Sequence, residues 1–135
     1  MINDYRRAAI LIAALLVASS ATIAQSASIP TTAASEFIGT WTFTMTNPPN
    51  TQQTVKVWDE TGRLAASIQV GKFPPNSVTG IMKDGDVLYL SATLRENGQP
   101  IWAVIALSMD VGTMRLAQMM QNSQTVKRGT AERRQ

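Results

Sequence analysis

Between Gly39 and about Arg128 the chain is written as short segments in which apolar and polar residues alternate, each closed by a turn signal. A period of two sends successive side chains to opposite faces, so each segment presents one buried face and one wet face, as antiparallel strands do. The first, Gly39 to Thr46, sets Trp41, Phe43 and Met45 against Thr40, Thr42, Thr44 and Thr46. Asn47-Pro48-Pro49-Asn50 breaks it, because neither proline can donate to a ladder. A second strand is predicted from Gln52 or Gln53 to Trp58, then a tight turn at Asp59-Glu60-Thr61-Gly62. The third strand, Arg63 to Val70, puts Leu64, Ala66, Ile68 and Val70 inward, and a longer loop from Gly71 to Asn76 precedes a fourth near Ser77 to Lys83. Asp84-Gly85 leads to a fifth strand, where Leu88, Leu90, Ala92 and Leu94 oppose Tyr89, Ser91 and Thr93. Three more follow: Pro100 or Ile101 to Met109, Thr113 to Gln121, and a last one ending near Arg128. About eight strands joined by short connections predict an all-β, up-and-down antiparallel barrel, since closure removes the exposed edges of an open sheet.

The residues before the ladder bear on compartment. Arg6-Arg7 form a positive start, Ala8 to Ala18 an apolar run of eleven residues, and small residues follow, the layout of a secretory signal peptide. The run is short of the roughly 18 apolar residues that a membrane helix needs, so the mature protein is expected to lack a membrane span. Thr22-Ile23-Ala24 offers the best small-x-small site, giving a signal peptide over residues 1–24, with Ala21 or Ala27 as alternatives. Residues 25–35 are rich in Ser, Ala and Thr without an apolar period and read as a flexible linker. The barrel domain is placed at 36–128 and a basic tail at 129–135. An exported chain with no cysteine must be held by its core and ladder, which fits a bacterial periplasm or cell exterior.

Net charge is +3, from 12 Lys and Arg against 9 Asp and Glu. Its distribution matters more. Within residues 37–124, Lys56, Arg63, Lys72, Lys83, Arg95 and Arg115 balance Asp59, Glu60, Asp84, Asp86, Glu96 and Asp110, so the barrel body is neutral. Lys127, Arg128, Arg133 and Arg134 carry the surplus against Glu132. Nucleic-acid binding would call for a basic, aromatic-studded face on the folded body, and none is written here. An outer-membrane barrel would need a lipid-facing apolar band on every strand, whereas the outer face of the first strand is threonine throughout.

The sixth strand departs from alternation. Ile101, Ala103, Ile105, Leu107 and Met109 fall on one face and Trp102, Val104 and Ala106 on the other, while the seventh adds Ala117 and Met119 to that second face. An apolar outer patch of this kind marks a contact surface, and self-association through Trp102, Val104, Ala106, Ala117 and Met119 is expected, against the alternative that the neighbouring tail covers them.

A Gly-x-Trp opening the first strand of an eight-stranded up-and-down barrel, here Gly39-Thr40-Trp41, resembles the calycin group of lipocalins, fatty-acid-binding proteins and avidins. The resemblance implies a ligand cup, and a tryptophan closing the barrel floor beneath a basic side chain from the last strand, for which Lys127 or Arg128 stands as the candidate; such stacking is worth about 0.5–2 kcal/mol. The chain departs from lipocalins in its shorter pattern and missing disulfide, and from avidins in lacking their polar biotin-binding set.

Catalysis is disfavoured by inventory. Without His or Cys the commonest general base, the best nucleophile and the usual zinc ligands are absent, and no cofactor motif is present. The carboxylates fall mostly in turns, where they serve turn geometry. Met45, Met82, Met109, Met114, Met119 and Met120 read as pliable core filler rather than a copper site, since strand neighbours such as Met119 and Met120 point to opposite faces. Two readings remain. One is a non-enzymatic binding module whose mouth takes a small apolar molecule between Trp41, Phe43, Met45, Leu90 and Ile105, with Ala66, Gly80, Ala92 and Ala103 leaving room. The other is a packed barrel acting on a protein partner through its outer sixth and seventh strands, as an inhibitor would.

Overall fold

The computed structural model describes residues 27–96 and 98–132. The predicted signal peptide and Arg133-Arg134 lie outside the described residues. Eight strands run β1 (Gly39–Thr46), β2 (Pro49–Glu60), β3 (Arg63–Val70), β4 (Asn76–Asp84), β5 (Val87–Glu96), β6 (Gln99–Asp110), β7 (Thr113–Met120) and β8 (Val126–Glu132). Each pairs antiparallel with its neighbours in chain order, and β8 returns to β1 to close the barrel. Burial along β1 follows the sequence, with Trp41, Phe43 and Met45 buried and Thr44 and Thr46 exposed. Turn chemistry sets the register: the Asp59 carboxylate accepts from Gly62 N at 3.0 Å, and Gly62 takes φ 92°, a conformation that costs a residue without Cβ little.

Two boundaries differ from expectation. Pro49 does not end the ladder but opens β2, pairing with Thr46, a position where a strand needs no proline N–H. Gly129 to Glu132 is strand rather than tail: Gly129 faces Met45 and Leu116, Ala131 faces Met114, and both are buried. A Cβ at 129 would stand 2.6 Å from Met45 Sδ and 3.0 Å from the Thr44 carbonyl oxygen, so a larger residue there must displace the Met45 thioether and crowd the β1 backbone.

Residues 27–35 of the predicted flexible linker are pinned, and residues 25–26 lie outside the described residues. Strands β3 and β4 pair directly only at Ser67↔Ser77 and Ile68↔Asn76 and diverge below, and residues 27–31 lie in the gap. Ala27 N donates to Thr79 O at 3.2 Å and Ile81 N to Ala27 O at 2.8 Å on the β4 side. Leu64 N donates to Ile29 O and Thr31 N to Gly62 O, each at 3.0 Å, on the β3 side. Ser28 Oγ also donates to Leu64 O, and the Arg63 guanidinium donates to Ser28 O. Two 3-10 turns, Thr31–Ala33 and Ser35–Phe37, then cross one end of the barrel and bury Ala34 and Phe37. The Trp41 indole N–H donates to Phe37 O at 2.9 Å, and Lys83 Nζ donates to Ala33 O at 2.8 Å. That end is plugged. It also carries the β2–β3, β4–β5 and β6–β7 turns, and the opposite end carries the other loops.

Candidate site at the mouth of the barrel

An eight-stranded barrel is about wide enough for its inward side chains to meet. Of the five residues expected to line a cup, Trp41, Phe43, Leu90 and Ile105 are fully buried in the packed core, and Met45 alone lines the mouth. Ala66, Ala92 and Ala103 are buried too, as members of the same core cluster, and Ala66 also borders a depression between β2, β3 and β4. Gly80 is not an interior position, since its Cβ would meet Ser91, a β5 residue that alternates with buried Leu90 and Ala92. The cup is therefore shallow.

Near the open end the apolar lumen stops at two amides. Gln53 on β2 and Gln118 on β7 keep the inward phase of Val55 and Val57 and of Leu116 and Met120, and are 4% and 2% exposed. Gln53 Nε2 donates to Gln118 Oε1 at 2.5 Å, spanning the lumen, and Gln118 Nε2 donates to Met120 Sδ at 3.2 Å. Burial of an amide is costly unless it is bonded, so each holds the other in place. Above them lies a cleft of about 240 Å³ that the two amides floor and that Met45, Val70, Leu94 and Met120 wall. Arg95 and Lys127 stand among its lining residues. Lys127 shares the inward phase of Gly129 and Ala131, and Arg95 Nη1 donates to Gly98 O at 3.3 Å. A broader depression of about 670 Å³ adjoins it, sharing Val70 and Arg95, with Phe73, 72% exposed, and Pro74-Pro75 along its side.

Sequence reasoning missed Gln53 and Gln118, although a polar residue in an inward phase was the available signal. The cation expected over Trp41 is displaced by register. Gly129 pairs with Met45, and Thr46 Oγ1 donates to Arg128 O at 3.1 Å, so Lys127 and Arg128 lie at the mouth, about 20 Å along the strands from the floor tryptophan.

The outer residues of β6 and β7 fall together as expected. Val104 pairs with Met119 and Ala106 with Ala117, and Trp102 and Met119 are 48% and 55% exposed. Among the described residues no cluster of acidic side chains could hold a metal ion, and no helix is long and apolar enough to cross a membrane. No protein-family model, no curated protein and no solved structure matches this chain.

Proposed function

We propose that this is an exported, non-enzymatic binding module of calycin-like architecture that holds a small, largely apolar molecule at the mouth of its barrel. The observation that carries this reading is the buried Gln53–Gln118 pair beneath an open, apolar-walled cleft. A lumen filled with leucines would pack as well without needing two amides, whereas a few fixed polar groups at the base of an apolar cleft orient a ligand. Volume limits the ligand: about 240 Å³ lies below the roughly 300–1,000 Å³ of drug-sized sites. Gly39-Thr40-Trp41 at the plugged end, with Trp41 buried as a floor, supports the calycin-like comparison. The missing His and Cys support binding without chemistry.

Native mass spectrometry of protein purified from its own host tests the reading. A small-molecule adduct on the wild type that is lost from the Gln53→Leu/Gln118→Leu variant is the expected result, and an adduct retained by that variant would place the ligand elsewhere. The half-exposed Trp102 and Met119 favour a second reading, in which the outer face of β6 and β7 docks a second copy or a partner. A strict monomer in sedimentation at low micromolar concentration removes the self-association.

A further inference from the structure

The charges of the described residues are divided along the barrel axis. Asp59 and Glu60, Asp84 and Asp86, and Asp110 all sit at the plugged end, in or beside its three turns. There Lys83 lies 3.5 Å from Glu36 and Arg115 2.6 Å from Asp110, while the Arg63 guanidinium donates to the Ser28 carbonyl oxygen. The open end carries Lys72, Arg95, Lys127 and Arg128 on its loops and strand ends, with Glu96 as its acid. Two of those cations line the cleft, and among the described residues no carboxylate does. A cleft edged by one sign of charge with apolar walls concentrates the opposite sign.

The floor adds a second demand. Gln53 spends one N–H on Gln118, and Gln118 spends one on Met120; among the described residues nothing donates to the Gln53 carbonyl oxygen. An amide oxygen has two lone pairs, so the floor keeps an acceptor for a ligand group.

Resting on the mouth as the binding site, we propose that its ligand is a small bipolar acid. Its anionic group lies at the rim with Arg95 and Lys127, its apolar body lies along Met45, Leu94 and Met120, and a hydroxyl at its inner end donates to Gln53. The polarity is specific, because the charge stays at the wet rim while the buried end is met by neutral amides, which avoids burying an ion.

Three probes separate the parts: 4-hydroxyphenylacetate, phenylacetate without the hydroxyl, and 4-methylphenol without the anion. Each is titrated into the ¹⁵N-labelled protein while the side-chain amide signals of Gln53 and Gln118 are followed. 4-Hydroxyphenylacetate is expected to bind about tenfold more tightly than either of the others, the factor that one charge-assisted or buried hydrogen bond supplies. Arg95→Gln/Lys127→Gln should erase its advantage over 4-methylphenol and leave its advantage over phenylacetate. If 4-methylphenol binds as tightly as the acid, or phenylacetate as tightly as the hydroxy acid, the bipolar ligand is overturned while the mouth remains a site. If no probe moves either amide, both the bipolar ligand and the mouth site fall.

Discussion

At the scale of single residues, Gln53 and Gln118 have an energetic meaning that neither has alone. Both are buried, and one N–H of Gln53 satisfies the Gln118 carbonyl oxygen across the lumen. Gln53→Leu leaves the Gln118 amide without its donor, and an unsatisfied buried group costs about 1–3 kcal/mol. Replacing both by leucine removes the need along with the bond, so the double variant should recover most of that loss. Urea denaturation of the two single variants and the double one checks this, and additive losses would mean that the amides are independent. Burial enforces the pairing: in water each amide would find other partners at once.

At the scale of elements, the segment 27–31 acts as a short extra strand where β3 and β4 part. Its ties to β3 include two side-chain bonds, from Ser28 to Leu64 O and from Arg63 to Ser28 O. Removing both in Ser28→Ala/Arg63→Ala should loosen the segment by about 1–3 kcal/mol. Amide exchange at Leu64 and Ile81, which donate to this segment, is then expected to quicken about tenfold while that of β6 stays unchanged. Equal quickening everywhere would mean global destabilisation instead. The sequence shows the long strands because alternation is a side-chain property, repeated over many residues in β1, β5 and β6. It hides this segment because the bonds to β3 and β4 are mostly backbone bonds, which any residue type can make. Gly129 to Glu132 is hidden for a related reason: Lys127 and Arg128 suggest a solvated end, while the inward Gly129 and Ala131 are too small to announce a buried face. The amide floor was legible in principle, as polar residues in an inward phase. The depth of the cup was not, because alternation fixes which way a side chain points and says nothing of how far its opposite reaches.

At the scale of the whole molecule, closure joins the beginning of the ladder to its end. Thr44 pairs with Thr130 and Met45 with Gly129, so the last seam forms only when residues some 85 positions apart meet. All-β domains whose closure depends on such a distant pairing fold in milliseconds to seconds rather than microseconds. Stopped-flow refolding followed by tryptophan fluorescence should show that range, and a microsecond phase carrying the full amplitude would contradict it. The molecule is also divided along its axis, with acidic turns and a plug at one end and cations with a cleft at the other. The amide bridge that separates these halves sets where the packed lumen ends and the cleft begins. The depth of the cleft is thus a matter of two side-chain lengths within the width that eight strands allow. A lineage or a designer could enlarge or shrink the vessel one residue at a time, leaving the hydrogen-bonded wall as it stands.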